Sequence, residues 1–350
     1  MIARPVTGAP GERGLKPFLV RIGLARLVRP WLGGCGTILV FHRVRAADAT
    51  MMFETNRQNC VPPDLLRMLL GALAAADIDV VTLDEAATRL AGPASPRRFV
   101  CLTFDDGYRD NLDSLLPILE EYRVPATIYV TPGLLDGTAA LWWYGLDQAI
   151  AQSATLRLPP RVANDMPTRT AAEKRIAFSA VARLMLMSAP DIAARVVDVL
   201  ADRHGVDFAA LARAHMLDWD GVRALSASPF VEIGAHTISH PSLARLDDAA
   251  VHAEMAGSRD RLALETGRQV RHFAYPYGTG DTVGARELRL AAELGFGSAV
   301  STNPGNLFRR HAEARHSWPR HGIGPADGPA ALHLKLAGVV KPYRQGRIAA

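Results

Sequence analysis

The stretch Phe99-Val-Cys-Leu-Thr-Phe104 is almost wholly apolar and stops abruptly at Asp105-Asp106-Gly107. A short apolar run bounded in this way reads as a buried strand. It is one of a series: residues 37–41, 80–83, 126–130, 230–234, 273–275 and 298–302 have the same character. Between them lie stretches that read as helices, at 62–75, at 84–90 behind an expected Asp cap, at 110–122 and at 247–265. Strand alternating with helix implies an α/β domain with a mostly parallel sheet. Residues from about 141 to 226 break the alternation, reading as several helices without strands, and are expected to form an insertion anchored by Trp219.

Composition fits that class. A chain of 350 residues with 49% hydrophobic and 21% charged residues is globular, neither disordered nor a coiled coil. Cys35, Cys60 and Cys101 are odd in number and form no CxxC pair, so any metal must be held by histidines and carboxylates. Cys101, inside a strand, is expected in the core.

The net charge of +5 comes from the ends. Residues 1–36 carry +5 and residues 309–350 carry +6, leaving 37–308 at about −6, a balance that does not mark a nucleic-acid-binding domain. In the basic N-terminal segment, Val20, Leu24, Leu27 and Trp31 share one helical face, with Arg21, Arg26 and Arg29 opposite and Pro30 expected to kink or end the helix. Two uses are open: docking on the chain's own domain, or peripheral contact with a membrane surface. The arginines interrupt any signal-peptide core, and no run reaches the roughly 18–20 apolar residues of a membrane span, so the expected location is the cytoplasm, including the inner membrane surface. Residues 326–350 read as a basic C-terminal tail, the last twenty of them as tail or terminal helix.

Three polar groups follow three different strands. Asp105 and Asp106 sit at a strand's end, where α/β folds do their chemistry, although a helix cap beside a turn would also explain them. His236-Thr-Ile-Ser-His240-Pro241 sets two imidazoles four residues apart, able to share a metal if the segment makes a helical turn; a polar turn is the alternative. Phe273-Ala-Tyr-Pro-Tyr-Gly278 ends a strand in a turn that can aim a backbone N–H into the crevice, or can simply pack its tyrosines.

Taken together, Thr103-Phe104-Asp105-Asp106-Gly107, the unbroken His236 to Pro241 and Pro276-Tyr277-Gly278 resemble, in order, the three motifs of the NodB-homology polysaccharide deacetylases, carbohydrate esterase family 4. The resemblance spans roughly residues 37–325 outside the insertion. It implies a distorted (β/α)7-type barrel that removes acetyl groups from N-acetylhexosamine-containing oligo- or polysaccharides, in the manner of chitooligosaccharide deacetylases. It further implies one divalent metal ion, commonly Zn2+, held by Asp106, His236 and His240, with Asp105 as general base and the backbone N–H of Tyr277 as oxyanion donor. Three protein ligands leave a position for water, as hydrolytic zinc sites require.

Two departures from the family pattern stand out. Ala274 occupies the place of the arginine that usually orients the base, so Arg271 or another cation has to substitute. No Leu-x-His supplies the acid late in the chain, where Ser317-Trp-Pro-Arg-His-Gly-Ile323 stands instead. Phe41-His42-Arg43-Val44 is similar to the opening motif of the exopolysaccharide deacetylase branch, which makes His42 the favoured general acid over His321. Trp142, Trp143 and Tyr275 are candidates for saccharide contact, the tryptophans as a stacking platform or as a packed hinge. Arg109 and Asp110 read as an ion pair or helix cap. The alternatives are an amidase for another acylated amine and a carbohydrate-binding barrel that has lost turnover.

Overall fold

The computed structural model describes residues 23–46, 54–93 and 97–339. Seven parallel strands make the main sheet: β1 (Gly36–Phe41), β2 (Phe99–Phe104), β3 (Ala126–Val130), β4 (Val231–Ala235), β5 (His272–Ala274), β6 (Ser298–Val300) and β7 (His321–Gly322). Their spatial order is β6-β5-β4-β3-β2-β1-β7. The chain around β7 then closes the ring: Trp318 N–H donates to Ala299 O at 3.1 Å beside β6, and Ile323 N–H donates to Val40 O at 3.0 Å on β1. The result is a distorted (β/α)7 barrel. A short strand, Asp79–Val80, pairs with the start of β2 while β3 pairs with its end.

Side chains alternate along each strand, so one set faces the barrel axis and the other faces the helices. Val100, Leu102 and Phe104 belong to the outer core beneath the helices, whereas Phe99 and Cys101 belong to the inner cluster with Ile38, Tyr129 and Trp318. The outer layer includes α2 (Pro63–Ala75), α4 (Leu116–Tyr122), α10 (Asp248–Thr266) and α11 (Ala285–Glu293). Helix α3 (Leu83–Ala91) instead sends Leu83, Ala86 and Leu90 into the inner cluster. Its cap is Thr82, whose Oγ1 accepts from Glu85 N–H at 3.1 Å, so the expected Asp cap is corrected and Asp84 lies in the first turn with its carboxylate uncommitted to capping.

Between β3 and β4 the chain forms α5 (Trp142–Gln152), α6 (Ala171–Met187), α7 (Pro190–His204), α8 (Phe208–His215) and α9 (Trp219–Ala227). Most of this segment has a core of its own, which meets the barrel at Tyr108 and Tyr277. Trp219 ties it down, donating Nε1–H to Asp136 Oδ1 at 2.7 Å beneath the Arg261 guanidinium.

Helix α1 (Leu24–Leu32) runs through Pro30 and docks through Ala25 against Leu334 and Ala337, leaving Leu27 66% and Trp31 70% exposed. Of the apolar face read from the sequence, Leu27 and Trp31 are therefore turned outward; Val20 and Arg21 lie outside the described residues. Of the two readings of the C-terminal end, tail or terminal helix, residues 329–336 form a helix, α12 (Pro329–Leu336), which buries Leu332 and Leu336 in the outer core. Residues 340–350 lie outside the described residues. No described helix is long and apolar enough to cross a membrane.

Candidate active site at the C-terminal mouth of the barrel

Alternation along β2 aims Phe99, Cys101 and Thr103 inward, and Asp105 continues that series. Asp105 is 3% exposed and its partner is Arg320, which donates Nη1–H to Oδ1 and Nη2–H to Oδ2, both at 2.7 Å. Arg320 is fully buried; it also donates to Thr103 Oγ1 at 3.1 Å and, through Nε, to Ser301 O at 2.9 Å. Burial works to raise the Asp105 carboxyl, but the guanidinium fork outweighs it and holds the group below the usual carboxylate range. Arg271, expected as a possible substitute for the missing arginine, is corrected: it lies at the other end of the barrel, paired with Asp84. The substitute is Arg320, from the segment that stands where the late motif is missing.

Asp106 would point outward like Phe104 if the strand continued. Its φ of 78° turns the chain instead, and its Oδ1 lies 3.4 Å from His236 Nε2 and 3.3 Å from His240 Nε2. His236 follows β4 directly, and its Nδ1–H donates to Ala274 O at 2.7 Å, which leaves the Nε2 lone pair facing Asp106. The His236–His240 segment is not a helical turn. Thr237 and His240 both have positive φ, and Glu254 of α10 accepts from the N–H groups of Ile238 and Ser239 at 2.7 and 2.9 Å, pinning the loop so that the imidazole rings meet 4.9 Å apart.

Tyr277 is the fourth residue of this set in the left-handed region, with φ 61°. Such conformations cost of order 1–3 kcal/mol each in non-glycine residues and gather at functional sites. Gly278 is required beside it, since a Cβ there would lie 2.6 Å from Thr302 N. The Tyr277 hydroxyl donates to His240 O at 3.3 Å and accepts from Trp142 Nε1 at 3.0 Å. Among the described residues, the Tyr277 N–H has no hydrogen-bond acceptor.

Asp106, His236 and His240 fit a divalent metal. Ligand atoms about 2.0–2.1 Å from one tetrahedral ion stand about 3.3–3.4 Å from each other, the separations observed from Asp106 Oδ1 to the two imidazoles. The donor set of two neutral imidazoles and a carboxylate suits zinc and its neighbours.

His42 lies just beyond β1 and is half-buried. Its carbonyl accepts from Asn111 Nδ2 at 3.0 Å. The next residue, Arg43, is 2% exposed and braces this loop, donating to Asp110 Oδ2 and to the Tyr144 hydroxyl, each at 2.7 Å. Asp110 thus belongs to a buried ion pair with Arg43 and not with Arg109. His321 is differently placed: its Nε2 meets Asn306 Oδ1 at 3.2 Å, and burial with the Lys335 charge pushes the ring down to about 4.

The expected saccharide contacts are corrected. Tyr275 is fully buried, its ring against Phe273 and its hydroxyl donating to His316 O at 2.9 Å. Trp142 and Trp143 are 9% and 8% exposed and form a wall: Trp142 holds the Tyr277 hydroxyl, and the Trp143 ring packs 5.1 Å from that of His240 while donating to Tyr108. Neither offers a free face for a sugar. Arg320 and Glu254 were missed because each acts from a distant stretch of chain, and Arg43 because its partners, Asp110 and Tyr144, are distant in sequence.

Comparison with known proteins agrees with this architecture. The polysaccharide deacetylase family profile matches residues 92–173 and 185–298, more than half of the chain. A search of curated proteins finds no match. Among solved structures, the Streptococcus pyogenes deacetylase PplD in complex with acetate shares 20% identity at a TM-score of 0.56, covering 86% of this chain and 97% of its own. IcaB from Ammonifex degensii shares 16% at 0.55, covering 87% and 98%. A de-N-acetylase from Aggregatibacter actinomycetemcomitans shares 16% at 0.53, covering 86% and 99%.

Proposed function

We propose, from the premise that this chain belongs to the polysaccharide deacetylase family, that it hydrolyses the acetamide of an N-acetylhexosamine in an oligo- or polysaccharide of the chitooligosaccharide kind. One observation carries the reading: a buried aspartate, Asp105, forked by Arg320, adjoins a His-His-Asp cluster with metal-ligand spacing. A barrel kept only for carbohydrate binding has no use for that pairing.

The divalent ion that Asp106, His236 and His240 would hold, Zn2+ by the donor set, supplies a Lewis acid and lowers the pKa of an attacking water. Asp105 stays ionised at neutral pH, and each of its oxygens keeps a lone pair after the bonds from Arg320, so it can take the proton of that water as oxygen adds to the acetamide carbon. The free N–H of Tyr277 donates to the carbonyl oxygen as charge builds on it, a kind of contact worth about 3–4 kcal/mol. His42 gives a proton to the leaving nitrogen, the C–N bond breaks, and acetate and the free amine result. The Trp142–Trp143 wall limits water at the cluster and fixes Tyr277. The names of two structural neighbours, a deacetylase and a de-N-acetylase, suit the same reaction.

The test is acetate release from N-acetylglucosamine oligomers by the metal-analysed protein, with Asp105→Asn alongside. Activity in the wild type and metal retained without activity in Asp105→Asn are expected. A metal-loaded wild type that releases no acetate from any N-acetylated saccharide overturns the reading. The location proposed with it is the cytoplasmic face of the inner membrane, supported by exposed Leu27 and Trp31 on α1 and by the basic ends. Sedimentation with anionic vesicles checks this, binding being lost in Leu27→Ser/Trp31→Ser.

A further inference from the structure

The inner face of the barrel carries a second cluster. On β4, Glu232 and His236 lie on the same side, Glu232 near the N-terminal end of the strand and His236 just beyond its C-terminal end. On β5, His272 faces inward two residues before Ala274. His272 Nε2 lies 3.3 Å from Glu232 Oε1 and 3.6 Å from Asp84 Oδ1, the latter from the first turn of α3, and ligand atoms of all three residues lie within 4.8 Å of one another.

Four observations distinguish this cluster from an ordinary surface ion pair. His272 is 1% exposed, and its Nε2 has no hydrogen-bond partner among the described residues although both carboxylates stand nearby. Its Nδ1 is taken by Ser298 Oγ at 2.9 Å, the outer contact that orients a metal-binding imidazole. The separations resemble those at the active site, wider than a good hydrogen bond and suited to two ligands of one ion. Charge also permits it: two carboxylates converge on the ring, and Arg271 Nη2, 3.2 Å from Asp84 Oδ1, offsets one of them. The Asp84 carboxylate is reached from outside, because Asp84 lines an open cleft of about 440 Å³ together with Arg271 and Arg315.

We propose that Asp84, Glu232 and His272 bind a second divalent cation, of the first-row class that takes one imidazole and two carboxylates, at the N-terminal mouth of the barrel. It has no buried base forked by arginine beside it, so its work is to tie the start of α3 to β4 and β5. This site stands independently of the proposed reaction.

The experiment strips the untagged full chain with chelator, titrates it with Co2+ or Zn2+, and measures bound metal after desalting. Two equivalents are expected in the wild type, one in Asp106→Ala, and one in Asp84→Asn or Glu232→Gln. In the Asp106→Ala background Zn2+ still raises the melting temperature, and it no longer does so once Asp84→Asn is added. Asp84 is partly exposed, so this variant avoids the folding risk of replacing buried His272. The proposal is overturned if Asp106→Ala binds no metal, or if Asp84→Asn and Glu232→Gln leave its remaining equivalent and its thermal shift unchanged. Loss of metal with Asp84→Asn but not with Asp106→Ala supports this site while undoing the proposed active site.

Discussion

The two mouths of the barrel hold the same kinds of ligand and differ in everything around them. Glu232 and His236 are four residues apart on one strand face, about 13 Å at strand rise, with the Tyr129 ring packed against Gly234 between them. The upper cluster sits on loops beyond the strand ends, where Asp106, Thr237, His240 and Tyr277 all adopt positive φ. The lower cluster sits on regular strand and helix backbone, and its carboxylates reach solvent, Asp84 at 45% and Glu232 at 27% side-chain exposure. A cation site needs only converging donors. A hydrolytic site also needs a base, an oxyanion donor and an acid, and the residues proposed for these roles lie at the upper mouth, where the backbone is strained and the insertion packs against it.

Variants can break or sharpen that contrast. Asp106→Ala should have the largest effect, reducing acetate release to background while leaving the lower metal equivalent in place, as acetate and metal assays will show. His42→Ala should lower kcat by about 10²–10⁴-fold, whereas His321→Ala, bound to Asn306, should leave the rate within a few-fold; comparing the two in steady-state kinetics checks the choice of acid.

Arg320→Gln leaves a buried carboxylate unpaired and should cost about 3–5 kcal/mol of stability by denaturant melt. Asp105 is depressed in the folded state, so its contribution to stability is complete above about pH 4, its unfolded value, and is lost as pH falls from there through the folded value. Removing Arg320 raises that folded value, so the acid limb of the kcat/KM profile should move to higher pH. Arg320→Lys, which keeps the charge without the fork, should restore part of the shift. The smallest change is expected for Asp84→Asn without metal: under about 1 kcal/mol of stability, as for other exposed pairs, and an unchanged rate of acetate release.

Much of this was legible in the chain. The apolar run 99–104 and its polar end gave a buried strand and placed Asp105 and Asp106, because alternation and strand length are local properties. The barrel class followed from strand and helix order. The motif resemblance grouped Asp106, His236 and His240. What was misread or left open depended on contacts across the fold: Tyr275 and the tryptophans look like sugar contacts until their burial is seen, and the two uses of the α1 face stay open until Ala25 is seen to meet α12.

The sequence alone determined the strand-helix order, the polar strand ends and the turn chemistry of Gly107 and Gly278, since backbone propensity and side-chain alternation act over a few residues. Only the tertiary structure decided that Arg320, more than two hundred residues from Asp105, replaces the arginine absent at Ala274. It likewise decided that Glu254 pins the histidine loop and that Asp84 meets His272. Closing a barrel juxtaposes strand ends regardless of their separation along the chain, and that juxtaposition determines which charges become partners.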